Sequence, residues 1–411
     1  MTCKPGDQVT GSPAPWSANA RTDADTVVGT DRDRKPVDDP ASAKENRRRR
    51  TLRHVRFAVV IVVAGLMAGC GTSQAPTQGP TTGVEQSPTA APLPTAAPSP
   101  TPEESLVAAQ SIEVVRATRL AVTADWMAVA NGFAWAAADS GVERLNGRDG
   151  SVLSSIPVPT GLCLDFDVAF GSVWAGTSAG GSPSLVRIDQ ATGKVVATIP
   201  LKVPDLQCES SVGAGDGAVW LISRAPGRVL VKVDPTANAV TATFPMPPED
   251  PQGQHPPNKD FGGVRAGYGG VWIADQGRDA LLRMSPVDGS IVTLIPLGSG
   301  SGPRFVALGE GSVWVLNQTD GTVSRIDPQT NSVVATIAVS SVPVDGGDIA
   351  AGCGAVWARV TDELVARIDP ATNEVVARYG PPTDDGSVAC ADNVLWISAH
   401  DANAIWRLPL P

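Results

Sequence analysis

The chain has 411 residues, a formal net charge of -10 and only 5% aromatic residues, against 42 glycines and 36 prolines. That composition suits short strands joined by many turns and excludes a protein built on long helices. The charge is uneven: residues 1–69 carry 12 Lys/Arg and 8 Asp/Glu, the rest 20 against 34, so the acidic body excludes nucleic acid as a partner.

Residues 1–50 are polar and charged, without apolar periodicity, and read as a disordered extension. Residues 51–70 follow the run Arg47 to Arg50. They hold Arg53 and Arg56, an apolar stretch from Phe57 to Ala68, and then Gly69-Cys70. A basic region, a short apolar region and small residues before a break describe an export signal. The cysteine after Ala-Gly makes the segment resemble a bacterial lipoprotein signal. That resemblance implies lipidation of Cys70, a membrane partner through the lipid, and an extracytoplasmic body. The alternative is an uncleaved signal anchor, for which twelve apolar residues fall short of the roughly 20 needed to span.

Residues 71–109 are rich in Pro, Thr, Ala, Ser and Gln, as in Ala97-Pro98-Ser99-Pro100-Thr101-Pro102. Such a segment buries no core and favours polyproline-like extension, with a reach on the order of 120 Å. It reads as a stalk.

From residue 110 to 411 a repeat takes over. Trp135, Trp174, Trp220, Trp272, Trp314, Trp357 and Trp396 are separated by 39, 46, 52, 42, 43 and 39 residues. Three residues before each stands Gly132, Gly171, Gly217, Gly269, Gly311, Gly354 or Asn393, types that accept the positive φ of a tight hairpin. Eight before stands an apolar column: Met127, Phe166, Val212, Val264, Val306, Ile349 and Val388. A cation recurs in each third strand, from Arg144 and Arg187 through Lys232, Arg283, Arg325 and Arg367 to Arg407. It is expected to be solvated or paired with turn carboxylates. Turns such as Asp327 to Asn331 and Asp369 to Asn373 follow.

Each unit reads as a four-stranded antiparallel meander, and seven of them make an all-β, seven-bladed β-propeller. The last unit ends after its third strand. The segment Ile112 to Thr118 is expected to supply the missing fourth strand and close the ring.

The Gly-Ser-Val-Trp stretch and Arg325-Ile326-Asp327-Pro328, with the Val-Val-Ala-Thr-Ile run that follows, resemble the YVTN and streptogramin-lyase-like propeller superfamily. That resemblance implies the propeller fold. Its lyase members imply a histidine general base and a magnesium ion, with His255 and His400 as the candidate catalytic residues.

Residues shared by all blades serve the scaffold, so a site is expected where the repeat fails. Four further cysteines, Cys163, Cys208, Cys353 and Cys390, lie in the exported part and allow three pairings. Similar heights in adjacent blades favour Cys163 with Cys208 and Cys353 with Cys390; four free thiols are the alternative. No Cys-x-x-Cys points to metal. The insertion Pro245 to Gly263 carries His255, and its connection opens on the same rim as His400 and Asp401. Asp165, Asp167, Arg265, Arg304 and Asp348 begin first strands on that rim and complete the ligand-binding candidates. Gly176-Thr177-Ser178-Ala179-Gly180 spells a nucleophile elbow but lacks the helix that motif needs.

The leading expectation is a monomeric, surface-tethered module that binds a cell-envelope protein, peptide or cell-wall ligand without a cofactor. The alternative is a lyase-like or hydrolytic enzyme on the same rim, which alone calls for magnesium.

Overall fold

A computed structural model describes residues 107–112, 117–120, 122, 124–138, 141–158, 165–178, 182–206, 212–223, 227–247, 261–383 and 385–411. The expected leader, lipidation site and most of the stalk lie outside the described residues. So do His255, Cys163 and Cys208. Among the described residues no helix is long and apolar enough to cross a membrane.

Seven antiparallel sheets follow one another in strict chain order. Blade one consists of Met127–Ala130, Phe133–Ala138, Gly141–Asn146 and Val152–Pro157. The first strands of the later blades are Asp165–Ala169, Val212–Gly215, Phe261–Gly267, Pro303–Gly309, Asp348–Gly352 and Val388–Ala391. Each inner strand packs on the next, and the seventh packs on the first, so the ring closes around a central channel.

The hairpin between first and second strands is the same in all seven blades. Two residues carry it, both at positive φ: Asn131 and Gly132, Phe170 and Gly171, Asp216 and Gly217, Tyr268 and Gly269, Glu310 and Gly311, Cys353 and Gly354, Asp392 and Asn393. A two-residue turn of this kind matches the right-handed twist of the strands it joins. The following tryptophan locks the hairpin. In blades two to six its Nε1 donates to the carbonyl of the residue five earlier, as from Trp272 to Gly267 at 2.9 Å and Trp174 to Ala169 at 3.1 Å. All seven tryptophans are fully buried. They are packing residues, each removing an apolar area worth about 5 kcal/mol from water.

The third-strand cations behave otherwise than expected. Each pairs in register with the tryptophan of its own blade, from Trp135 opposite Arg144 to Trp396 opposite Arg407. Each charge lies over that indole, at 4.6 Å for Arg283 and 5.8 Å for Arg407. Six of them then cross to the next blade's turn between third and fourth strands. Arg187 donates to the Pro235 carbonyl (2.7 Å) and Asn238 Oδ1 (2.9 Å), and Arg283 to Pro328 (2.9 Å) and Asn331 (2.5 Å). Arg325 does the same to Pro370 and Asn373, and Lys232 reaches Pro286. Arg144 reaches Ala191, and Arg407 reaches Gly147. The acceptors are turn carbonyls and amides, not carboxylates. Arg367 has no such acceptor because blade seven has no third-to-fourth turn.

Closure uses the N-terminal segment, but not in the register expected. Thr118–Leu120 pairs antiparallel with the final strand Ala404–Pro409, Arg119 opposite Trp406. Earlier residues do a second job: Gln110–Ser111 adds a parallel fifth strand to blade six beside Glu374–Gly380. Ile112 is fully buried between the two blades, among Trp357, Leu364 and Trp406. The closing strand therefore starts six residues later than Ile112, while Gln110–Ser111 serves the neighbouring blade. Residues 113–116 lie outside the described residues.

Candidate functional site

The inner strands present alternate residues to the channel. Seven positions before each tryptophan the residue is Ala128, Asp167, Gly213, Arg265, Ala307, Ala350 or Ala389. Five blades thus place Ala or Gly where seven strands converge, and blades two and four place a charge of each sign. The two flank the inner strand of blade three. Asp167 Oδ2 accepts the Ala214 N–H at 2.8 Å, and Arg265 Nη1 donates to the carbonyls of Val212 (3.0 Å) and Val264 (2.9 Å). Both line a cavity of about 340 Å³ along the axis. Its wall also includes Asp348, Ala214 and Ala389.

Asp348 is buried, 3% exposed. Its carboxylate accepts the Ser387 hydroxyl at 2.8 Å and the amides of Ile349 (2.7 Å) and Val388 (3.2 Å). Burial pushes its carboxyl up to about 6, against the pull of the Arg265 charge and of these hydrogen bonds. Asp165 makes the equivalent bridge from blade two to blade three, accepting Val212 N–H at 2.9 Å. Ser387 continues the series by accepting Met127 N–H at 3.2 Å, and Trp126 by donating to the Phe166 carbonyl at 3.1 Å. Asp165 and Asp348, chosen as rim residues, are thus brackets between adjacent inner strands, nine positions before their tryptophans.

Arg304 stands half-buried at the start of blade five. His400 and Asp401 occupy the connection between second and third strands of blade seven, half exposed, with Nδ1 and Oδ1 3.6 Å apart. The His400 amide donates to the Asp385 carbonyl at 3.0 Å, which ties this connection to the loop entering blade seven. Among the described residues no three His, Cys, Asp or Glu side chains converge as metal ligands. His400 and Asp401 offer two donors, too few for the octahedral shell of magnesium without further groups. Ser178 lies between two strands of one sheet, where its hydroxyl accepts the Leu206 N–H, so no nucleophile elbow forms there.

Cys353 and Cys390 form the expected disulfide, Cα atoms 6.1 Å apart. It joins blade six to blade seven at the lower end of the channel. The same hairpin position carries polar links elsewhere: Asp216 accepts Gly270 N–H, Glu310 accepts Gly354 N–H and Asp392 accepts Gly132 N–H, each at 3.0–3.1 Å.

Two buried arginines had no signal in the repeat. Arg359, fully buried, donates to the carbonyls of Ser398, Thr383 and Asp385 and so pins the loop before blade seven. Arg378 pairs with Glu363 inside blade six. Both replace residues that are small or apolar in other blades, a departure visible only once the strand register is known.

No protein-family model and no curated protein matches the chain. Among solved structures, one of streptogramin B lyase is similar at 16% identity and TM-score 0.57, covering 72% of this chain and 97% of that one. A catalytically inactive virginiamycin B lyase from Staphylococcus aureus, solved with quinupristin, gives TM-score 0.59 at 16% identity, with coverage of 72% and 98%. The Pan2 WD40 domain of Neurospora crassa gives 0.52 at 10% identity, with coverage of 71% and 90%. The likeness is one of fold: a β-propeller shared by lyases and by a WD40 domain.

Proposed function

We propose that this protein is an extracytoplasmic binding module, held at the membrane by a lipid on Cys70 and working as a monomer. Its partner is a protein, peptide or cell-wall component of the envelope. The partner rests on the loop-rich rim and inserts one polar group into the channel mouth.

The observation that carries this reading is the placement of Asp167 and Arg265 where five other blades have Ala or Gly. Backbone groups meet both Asp167 oxygens and Arg265 Nη1, so Arg265 is the group of the pair that keeps donors toward the cavity it lines. Arg265 commits one nitrogen, Nη1, to backbone carbonyls, and its fork geometry suits a carboxylate. A cavity of about 340 Å³ admits a side chain or a chain end, not a macrocycle. The body of the partner therefore lies outside it, on a rim of propeller loops.

A second reading, a lyase-like enzyme using His400 with Asp401, draws on the fold shared with the two lyases and on the proximity of that pair. Magnesium belongs to this reading only, and it needs donors from residues 248–260 to complete a site.

The test is capture from cell envelope by the full chain, compared with Arg265→Ala and Asp167→Asn. Loss of the captured partner from both variants, with folding retained, is expected. Equal capture by all three removes the channel from the reading. Cys70→Ala is expected to shift the protein from the membrane to the soluble fraction; persistent membrane association favours the signal anchor. Cleavage of a cyclic depsipeptide that His400→Ala abolishes replaces binding with lyase chemistry.

A further inference from the structure

A second cavity lies away from the channel. It is a cleft of about 610 Å³ at the junction of blades seven and one, on the rim that carries the two-residue hairpins. That rim is opposite His400 and the candidates read from sequence. Its wall includes Phe133, Val394 and Trp396 as the apolar part, and Arg148, Arg407 and Asp392 as the charged part.

The staple between blades seven and one differs from the fullest ones. In blades two and five the third-strand arginine is held at both Nε and Nη1. Arg187 Nε donates to Ser172 Oγ at 2.8 Å and its Nη1 to Pro235 and Asn238; Arg325 repeats this with Ser312, Pro370 and Asn373. At blade seven the serine is replaced by Val394, and the turn asparagine of the next blade by Gly150. Arg407 therefore spends its Nε on the Gly147 carbonyl, at 2.8 Å. Its Nη groups have no acceptor among the described residues. The turn that should fill the space is Asn146 to Gly150, which has no proline and carries the exposed Arg148. Asp392, the carboxylate in the wall, is occupied by the Gly132 amide at 3.0 Å. Phe133 stands where other blades have Ser, Ala, Gly or Val, and the Arg144 charge covers it at 3.8 Å.

We infer that this cleft is a second binding site, for an amphipathic anion: a carboxylate or phosphate on an alkyl body, the anion held by Arg407 and Arg148 and the body laid on Val129, Phe133 and Val394. Charge complementarity selects the occupant. Two guanidinium groups stand at the edge of an apolar floor; the neighbouring Asp149 offsets part of the Arg407 charge, and the exposed Arg148 supplies the second cation. The site is independent of the channel and of the tether.

The experiment is calorimetric titration of the full chain with sodium octanoate, octyl phosphate and octanol. Octanoate or octyl phosphate is expected to bind one to one, and octanol at least tenfold more weakly. Whichever of the two anions binds more tightly names the headgroup. Arg148→Ala is expected to weaken anion binding about tenfold, the loss of one charge-assisted contact. Phe133→Ser restores the serine of blades two and five, so it keeps the fold and is expected to weaken all three ligands. Absence of binding by both anions, octanol binding as tightly as octanoate, or unchanged affinity in Arg148→Ala overturns the inference.

Discussion

An arginine over a tryptophan is worth more here than a surface charge usually is. Arg283 lies 4.6 Å from the Trp272 ring and donates to Pro328 and Asn331 of the next blade. It combines a cation–π contact with charge-assisted hydrogen bonds, each contributing roughly 1–2 kcal/mol in partly buried settings. Arg367 has the indole alone, at 5.5 Å, because blade seven lacks the turn that would receive it. Arg283→Ala is therefore expected to destabilise by about 2–3 kcal/mol and Arg367→Ala by about 1 kcal/mol or less, read by denaturant unfolding. Equal losses would show that the turn contacts contribute nothing. The sequence displayed the seven cations but not their partners. Each partner lies in another blade, some 45–50 residues away for most, and a reading of one repeat at a time pairs a cation with the carboxylates nearest in sequence.

At the scale of elements, blade seven is the weak point, because its fourth strand is only the three residues Thr118–Leu120. Two devices reinforce its junction with blade six: Ile112 buried between them, and the Cys353–Cys390 disulfide. In blades three, five and seven the corresponding hairpin position offers a single carboxylate to an amide. A bond closing a separation of 37 residues contributes about 4 kcal/mol through the unfolded chain. Reduction, or Cys353→Ala with Cys390→Ala, is expected to lower Tm by several degrees and to speed hydrogen exchange first in Val388–Ala391 and Thr118–Leu120. Uniform exchange across all blades would deny that junction a special role. The blades and the Cys353–Cys390 pair were legible because hairpin glycines, tryptophans and cysteine heights all repeat. The closing register was not, since Ile112 to Thr118 has the pattern of a fourth strand while Gln110–Ser111 pairs with blade six and the strand on blade seven begins at Thr118. The candidate site was half legible: the sequence picked out Asp167 and Arg265 with Asp165 and Asp348, but it did not show that Asp165, Asp167 and Asp348 all turn a carboxylate on a backbone amide of the next blade. The cleft at Arg407 was hidden because its walls come from opposite ends of the repeat array, Phe133 and Arg148 from blade one and Val394 and Arg407 from blade seven.

The whole molecule carries two opposed sets of carboxyls, and their balance sets its pH optimum. Asp149, Asp189, Asp234, Asp288 and Asp327 sit in exposed turns, held below the usual carboxylate value by hydrogen bonds from side chains and amides of their own turn. Their folded values lie below the unfolded one, so the stability they add is present above about pH 4 and is lost as pH falls through the folded values. Asp275, Asp320, Asp348 and Glu363 are raised, each chiefly by burial. For these the folded state holds its proton longer than the unfolded state. Stability is greatest while both are protonated, and it declines as pH rises from the unfolded value through the folded one. Asp348 moves from 3.8 to about 6, which corresponds to a penalty on the order of 3 kcal/mol at pH 8. The two sets together place the stability maximum at about pH 4, from which stability declines as Asp348 ionises toward about pH 6. Asp348→Asn removes one titration and retains an acceptor for Ser387 and Val388. A constant cost for the amide facing Ile349 would shift its whole curve, so the slope is the quantity to compare. Thermal unfolding from pH 4 to 8 is expected to show the wild type losing several degrees more than Asp348→Asn across that range. Parallel curves would mean that Asp348 stays ionised throughout, with Arg265 and its three hydrogen bonds outweighing burial.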